Sequence, residues 1–346
     1  MASTTAAATR QRVRISGRVL WIIVGVALLI AVLYSYFIQP TITTAELSSA
    51  LRQSTPLVLG ALCGLVGERS GIINIGIEGQ MLMAAFIAFL ANVYIGQFLP
   101  LGITLFLAVI VGVLAGALMG LFLAWMSVTL KMDQIIAGTV INTLALGLTS
   151  FFYIAGLTTQ GKLQPFSLGP LADIPLIGPV LFNNALIAYL AIILVFVFQF
   201  ALFRTVWGLR TRSVGEHPSA ADTVGINVKL TRYINVTLAG GLAGLAGAYL
   251  TLEAVGSFER LMTNGRGFVA LAVMIFGKWT PLGAWGAALL FGFATALQTQ
   301  LQFSGTIDIP HQFIGMIPYL VTIIVLAGAV GRARPPAAIG EPYDPE

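Results

Sequence analysis

Charged residues are scarce in this chain of 346 residues. Only 9% of the sequence is Asp, Glu, Lys or Arg, while 58% is hydrophobic, and soluble domains carry about 25% charged residues. This composition excludes an ordinary soluble protein. The chain is instead predicted to be an all-α integral membrane protein, because it contains many apolar runs of the roughly 20 residues that a helix needs to cross a bilayer.

Residues that build disulfides, metal sites and nucleotide sites are also few. Cys63 is the single cysteine and lies in an apolar run, so we expect a small buried residue and no disulfide framework. His217 and His311 have no companion at metal-ligand spacing, so no metal site is predicted. The sequence contains no GxxxxGK[ST], nucleophile elbow or HExxH motif. We therefore expect neither an ATPase nor a catalytic membrane enzyme, and no cofactor on this chain.

Apolar runs predict about ten transmembrane helices. They lie at Val19–Ile38, 45–66, 72–94, 102–128, 134–157, 183–204, 233–254, 262–278, 283–302 and 312–330. Residues 1–18 would be an N-terminal extension, 19–331 the membrane domain and 332–346 a tail. Lys and Arg cluster beside the spans on the side of both termini, which predicts that both are cytoplasmic. The net charge of +5 therefore indicates membrane orientation rather than nucleic-acid binding.

Two features of these spans need a local explanation. Arg52 lies inside the second run, which predicts either a helix that starts later or a polar side chain facing the interior. The connection Leu157–Phe182 is rich in Gly and Pro, so we expect an ordered surface loop. This loop is either an ordinary connector or a surface that receives a delivery protein.

Glycines spaced four apart predict close helix packing, since small residues let helix backbones approach one another in lipid. The glycines concerned are Gly112, Gly116 and Gly120, the pair Gly60 and Gly64, and the pair Gly240 and Gly244.

The stretch Gly67–Gly79, GERSGIINIGIEG, places four glycines beside polar residues at the third span. This density of glycine predicts a broken helix, and broken helices in transporters line the solute cavity near the membrane midplane. Asn74 and Glu78 are therefore candidate path residues, although Glu78 could simply pair with an arginine such as Arg69 to hold the fold. Asn142, in the fifth span, is a third candidate that could equally bond a neighbouring helix.

A second glycine-broken patch, Thr263–Gly267, opens the eighth span. By the predicted topology, it enters the membrane from the side opposite to the first patch. Two such patches are typical of inverted repeats that meet near the midplane.

Residues 208–232 form the longest polar island, which we call the 208–232 segment. Pro218 suits the first turn of a helix, and Ser219–Thr223 can fill that turn. Gly225 can end the helix in the left-handed conformation. We therefore expect a short surface helix here.

Four strings resemble ABC-importer permeases for simple sugars and nucleosides. They are GLRTRSVGEHPSAADTVGINV, ERSGIINIGIEGQMLMAA, RGFVALAVMIFGKWTPLG and IPYLVTIIVLAGAVGRARPPAA. The second string is closer to nucleoside-type permeases than to ribose-type ones, which have a GID-type motif here. The resemblance implies that the 208–232 segment is a coupling loop whose short helix sits in a groove of the ATP-binding subunit. The residues that match the loop pattern are Gly215, Glu216, Pro218, Ala221, Asp222 and Gly225.

The resemblance also implies the partners and the location. The chain would work in a bacterial cytoplasmic membrane with a second related permease, two ATP-binding subunits that carry ATP and Mg, and an extracytoplasmic binding protein. The expected function is ATP-driven nucleoside import. The alternatives are a permease for a simple sugar such as ribose, and an ion-coupled secondary transporter, for which Glu78 is the only acid that the sequence places well to bind the driving ion.

Overall fold

The computed structural model describes residues 30, 32–304, 310–318, 320, 321, 323 and 334–344. The N-terminal extension, most of the first predicted span and about half of the last predicted span lie outside these residues. The helices are α1 Pro40–Arg69, α2 Ile77–Ile95, α3 Leu101–Ala124, α4 Gln134–Phe151, α5 Ile177–Leu181, α6 Leu186–Arg204, α7 Val206–Glu216, α8 Pro218–Thr223, α9 Val228–Ala248, α10 Arg266–Phe276, α11 Pro281–Ser304 and α12 His311–Ile314. Two π-helical segments, Trp125–Thr129 and Tyr249–Val255, extend α3 and α9.

Among the described residues, six helices are long and apolar enough to cross a membrane: 77–95, 101–129, 134–151, 186–204, 228–255 and 281–303. These helices correspond to the predicted third, fourth, fifth, sixth, seventh and ninth spans. The helix α1 has 30 residues but is too polar to belong to this group, and α10 has only 11, about 16 Å at 1.5 Å per residue. The described part of the chain therefore supports a mostly helical, multi-span protein with fewer complete apolar spans than the ten predicted.

Several predicted boundaries were wrong because local capping was not visible in the apolar pattern. The fifth span ends at Phe151 rather than 157, and the sixth begins at Leu186 rather than 183. The seventh begins at Val228 instead of 233, since the Asn227 side chain accepts a hydrogen bond from the Leu230 amide at 2.9 Å. An Asn or Asp in this position stabilises a helix start by satisfying a free amide.

The predicted glycine contact is confirmed at the crossing of α3 and α9. A Cβ atom added to Gly116 would lie 2.4 Å from the carbonyl oxygen of Gly240 and 2.4 Å from the Cα of Gly244. At Gly120, an added Cβ would lie 2.6 Å from the carbonyl oxygen of Val236. Backbones that approach this closely leave no room for a side chain, so glycine sets the distance between the two helices.

The 157–182 connection is ordered, as predicted. It contains strand β1, Phe166–Ser167, which pairs antiparallel with β2, Asn183–Asn184, and a 3₁₀ turn at Gly169–Asp173. Its start is held against the end of α9, because the Leu163 amide donates to the Leu252 carbonyl at 2.8 Å. The connection therefore forms a fixed wall over one end of the helical bundle.

Gly116→Ala tests the helix crossing. We expect it to destabilise the protein by about 1–3 kcal/mol, the usual cost of overpacking, and to lower the melting temperature of the purified protein in detergent. Gly147→Ala, in α4, is the matched control, because an added Cβ there has no atom within 4 Å. Equal melting temperatures for the two variants would contradict the close contact.

Candidate functional site

The glycine-rich stretch 67–79 breaks the helical path, as predicted. The helix α1 ends at Arg69 and α2 begins at Ile77, with non-helical residues between them. Gly71 has φ +89°, in the left-handed region that favours glycine. The third predicted span therefore begins five residues later than its apolar run suggests, in the first turn that contains Glu78.

The Glu78 carboxylate lies at the start of a second helix. Its Oε1 accepts a hydrogen bond from the Gly265 amide at 2.8 Å, and its Oε2 accepts one from the Gly267 amide at 2.6 Å. These amides belong to the start of α10, where free N–H groups favour a negative charge. The two glycine-broken patches identified in the sequence therefore meet directly through one carboxylate.

Gly267 is required for this contact. A Cβ atom at this position would lie 2.5 Å from the backbone nitrogen of Glu78. The approach of the two helix starts thus depends on the missing side chain as well as on the charge of Glu78.

Among the described residues, Arg69 is not the partner of Glu78. The Arg69 guanidinium instead donates to the Trp279 carbonyl, from Nε at 3.1 Å and from Nη2 at 2.8 Å. Trp279 Nε1 donates in turn to the neighbouring Glu68 carboxylate at 2.6 Å. Arg69 and Glu68 therefore hold the far end of α10 against the end of α1, while Glu78 holds its beginning.

Asn142 satisfies a neighbouring helix. Its side-chain oxygen accepts from the Gly79 amide at 2.7 Å, and its side-chain nitrogen donates to the Ile75 carbonyl at 3.1 Å. Of the two roles left open by the sequence, the structure shows the interhelical one. Asn142 thus fixes α4 to the break.

Asn74 is fully buried beside the break. Its nitrogen lies 3.0 Å from the Gln80 side-chain oxygen and 3.3 Å from the Cys63 sulfur, while its own oxygen has no partner among the described residues. Cys63 is buried, as predicted. The side chains of Asn74, Gln80 and Cys63 thus form a small buried polar cluster beside the turn.

A polar cavity of about 660 Å³ lies between α1, the π-helical end of α9, the 157–182 connection and the start of α10. This volume is within the usual range of small-molecule sites, about 300–1,000 Å³. Its charged lining residues are Arg52, Lys162, Glu253, Glu259 and Arg266. None of the three candidate path residues, Asn74, Glu78 and Asn142, lines this cavity.

The position of Arg52 settles the question raised by the sequence. The helix α1 starts earlier than predicted, at Pro40, so Arg52 is an interior-facing side chain in mid-helix rather than a residue before the helix. It lines the cavity, and its backbone carbonyl accepts a hydrogen bond from the Tyr249 hydroxyl at 2.7 Å. A charged residue inside an apolar run, Arg52, was thus the sequence feature that indicated the cavity.

Glu253 is the main site residue that sequence reasoning missed. Its side chain is 9% exposed, lines the cavity and accepts from the Ile187 amide at 2.7 Å. It belongs to the π-helical segment Tyr249–Val255, and π-helical turns are frequent at functional sites. Glu253 and Glu68 are both buried acids. The sequence interpretation, which considered Glu78 the only acid well placed to bind an ion, overlooked them.

The cavity mouth carries a further acid. The Tyr153 hydroxyl donates to Glu259 at 2.9 Å, and this hydrogen bond raises the pKa of Tyr153. Among the described residues, no group of three or more His, Cys, Asp or Glu side chains could hold a metal ion. The lining can instead donate to and accept from a polar solute.

The 208–232 segment is more helical than predicted, because α7, Val206–Glu216, precedes the expected short helix. The expected helix is confirmed as α8, with Pro218 at its first position and Gly225 at φ +83° beyond its end. Beneath α8, Ala221 is buried in a small cluster with Val214 and Val228. The segment is therefore a folded platform rather than a loop.

Gly215 fixes this platform to the break. A Cβ atom at Gly215 would lie 2.3 Å from the carbonyl oxygen of Arg69, the last residue of α1. The opposite surface of α8 is exposed, including Ser219, Ala220 and Thr223. The segment thus exposes one surface of α8 while its other side touches the helix break.

Comparison with known proteins identifies the family. The model of the branched-chain amino acid transport system permease component matches residues 46–326, which is most of the chain. The chain belongs to this permease family. It is a multi-pass membrane transport component rather than an enzyme, in agreement with its apolar helices.

Several characterised relatives are similar to this permease. The guanosine ABC transporter permease protein NupQ of Bacillus subtilis is 42% identical over 307 residues, covering 85% of this chain and 95% of the relative. The nucleoside ABC transporter permease protein NupC of Lactococcus lactis is 40% identical, covering 86% and 95%. TsgC13 of Haloferax volcanii, a candidate glucose ABC transporter permease, is 32% identical, covering 87% and 97%.

Bacillus subtilis and Lactococcus lactis each have a second, more distant match. NupP is 29% identical to this permease over 254 residues, and NupB is 26% identical over 303 residues. No solved structure matches the chain.

Glu78→Ala tests the joint between the two helix starts. Loss of both acceptors leaves the first amides of α10 without their cap, which costs about 0.5–2 kcal/mol at a helix start. We expect faster amide hydrogen exchange along α10 and a lower melting temperature, with Glu78→Gln intermediate because its amide keeps one acceptor oxygen.

Glu259→Ala is the control for this test, since it removes an exposed acid of the same region without touching the start of α10. Unchanged exchange at Gly265 and Gly267 in Glu78→Ala would contradict the capping role.

Proposed function

We propose that this permease is the membrane subunit of an ATP-driven ABC importer that moves nucleosides across a bacterial cytoplasmic membrane. The observation that carries the proposal is the two-sided 208–232 segment, whose exposed α8 can receive a partner while Gly215 contacts the end of α1. The names of NupQ and NupC support nucleosides as the transported solute.

In this proposal α8 docks into the ATP-binding subunit, which carries ATP and Mg. Pro218 starts the helix and Gly225 ends it, so its length and direction are fixed by backbone geometry. Ala221 and Gly215 seat the helix on the membrane domain, and Glu216 and Asp222 are exposed acids at its two ends. Nucleotide-driven movement of α8 would then be transmitted to the helix break.

The proposed solute position is the polar cavity. Arg52 and Arg266 offer donors, Glu253 offers acceptors, and Gln53 offers both. A nucleoside presents hydroxyls and a base edge with donors and acceptors, which such a mixed lining can bind. Asn74, Glu78 and Asn142 do not line the cavity. They would determine the shape of the path indirectly, by holding the helix starts in place.

We also propose the complete architecture of ten helices with two inverted repeats. The meeting of the two glycine-broken patches at Glu78 supports this arrangement, because short helices that begin inside the membrane and point their first amides at a common polar group are typical of inverted-repeat transporters. In this topology the helix starts lie near the midplane, and both termini and the 208–232 segment lie in the cytoplasm.

The importer would contain further subunits. The paired names NupP with NupQ, and NupB with NupC, support a second, related permease beside this one. An extracytoplasmic binding protein would deliver the solute to the side of the 157–182 connection, and lipid would cover the apolar outer surface. No nucleic-acid partner is proposed, because the basic residues flank membrane helices.

A simple sugar is the second candidate solute, and the glucose assignment of TsgC13 is the observation that favours it. An ion-coupled secondary transporter accounts for a buried acid such as Glu253, but it leaves the folded 208–232 segment without a role.

Uptake into proteoliposomes tests the function. The permease, reconstituted with its partner permease, ATP-binding subunits and binding protein, is expected to accumulate radiolabelled guanosine or uridine when ATP is inside. Unlabelled nucleosides should compete, and ribose should not. Uptake that follows an ion gradient and ignores ATP would overturn the proposal, whereas ATP-driven ribose uptake would overturn the cargo alone.

Ala220→Arg tests α8 as the docking helix. A long charged side chain on its exposed surface should lower the affinity of the ATP-binding subunit about tenfold or more, equivalent to 1.4 kcal/mol, and should reduce ATP-driven uptake. Ala155→Arg is the matched control, because it places the same side chain at an exposed site beyond α4. Equal affinities measured for both variants in nanodiscs would remove the docking role.

A further inference from the structure

Residues 334–344 return to the 208–232 segment and lie along it. We call this stretch the strap. Its first contact is at the end of α7, where the Ala338 amide donates to the Gly215 carbonyl at 2.9 Å and the Ala337 amide donates to the Glu216 carboxylate at 3.2 Å. Ala338 is only 4% exposed. The strap is therefore packed against the platform of α8 and not merely adjacent to it.

The same strap reaches the helix break. The Gly340 amide donates to the Gly71 carbonyl at 3.0 Å, and the space beside Gly340 is filled by Ile73, whose Cδ1 would lie 3.0 Å from an added Cβ. Gly340 has φ +81°, a conformation that glycine adopts without strain. The strap thus forms hydrogen bonds with both the 208–232 segment and the turn that leads to Glu78.

Two more contacts fix the end of the strap. The Tyr343 hydroxyl donates to Asp222 at the end of α8, at 2.7 Å, and the Glu341 carbonyl accepts from Nη1 of Arg232 at 2.9 Å. Arg232 is 1% exposed, so its guanidinium is an internal anchor. Asp344 pairs with Lys131, in the connection between α3 and α4. The strap therefore joins the 208–232 segment, the helix break and the connection between α3 and α4.

We propose that the strap transmits movement of α8 to the break at residues 70–76. The proposal rests on the proposed function, in which the ATP-binding subunit moves α8. Asp222 and Glu216 then act through the strap: when α8 shifts, Tyr343 and Ala337 shift with it, and Gly340 carries the displacement to Gly71. From Gly71 the chain runs directly to Glu78 and the start of α10. Binding energy at α8 changes the solute path only through a physical link of this kind.

Ala338→Arg is the decisive variant, because it forces a long side chain into the buried contact with the 208–232 segment. The matched control is Ala337→Arg, which introduces the same side chain at the neighbouring exposed position and keeps the backbone amide that bonds Glu216. Tyr343→Phe is a milder variant that removes one hydroxyl and keeps the ring, so it remains informative if Ala338→Arg fails to fold.

The assembled transporter in proteoliposomes is assayed for ATP-binding subunit affinity, ATP hydrolysis and nucleoside uptake. In Ala338→Arg and Tyr343→Phe we expect affinity within about twofold of the control, and uptake per ATP hydrolysed at least about fivefold lower in Ala338→Arg, at the lower end of allosteric couplings. Unchanged uptake per ATP in both variants would overturn the proposal. Loss of subunit affinity would also overturn it, since the strap would then be part of the docking surface.

The variants distinguish failure of the strap proposal from failure of the proposed function. If α8 is not the docking helix, Ala220→Arg leaves subunit affinity unchanged whatever the strap variants do. If α8 docks and the strap is passive, Ala220→Arg lowers affinity while Ala338→Arg behaves like Ala337→Arg.

Discussion

The structure depends on one carboxylate that joins two helix starts. Glu78 accepts from the amides of Gly265 and Gly267, and so satisfies backbone donors that have no partner within α10 itself. An amide without a partner is costly wherever water cannot replace the lost contact. The glycines on both sides are needed because the backbones approach too closely for side chains.

The break at residues 70–76 is held by contacts to three other parts of the chain. Its three neighbours have different tasks: Asn142 holds α4, Glu78 holds α10, and the strap holds the 208–232 segment. The polar cavity lies beside the start of α10, where Arg266 contributes to its lining. Covalent bonds and hydrogen bonds therefore connect the 208–232 segment to the cavity wall without interruption.

The sequence predicted what depends on local pattern. Pro218 and Gly225 defined α8 correctly, Gly116 predicted close helix packing without naming the partner helix, and the glycines from Gly67 to Gly79 predicted the break. What it did not predict depends on distant residues. Nothing near Glu253 indicates that it meets the Ile187 amide, and the strap could not be seen because Tyr343 and Asp222 are far apart in the chain. Helix ends such as Phe151 and Val228 were misplaced because apolar runs continue past them or begin after them.

The most direct measurement of the central claim is the distance between spin labels at Ser49→Cys and Gln164→Cys, two cavity-lining positions in different elements. Cys63 is fully buried, which limits its labelling. In the assembled transporter in nanodiscs, the account predicts that the distance distribution measured by pulsed electron paramagnetic resonance shifts when ATP binds the partner subunits. Identical distributions with and without ATP would contradict the claim that ATP binding to the partner subunits, acting through the 208–232 segment, moves the walls of this cavity.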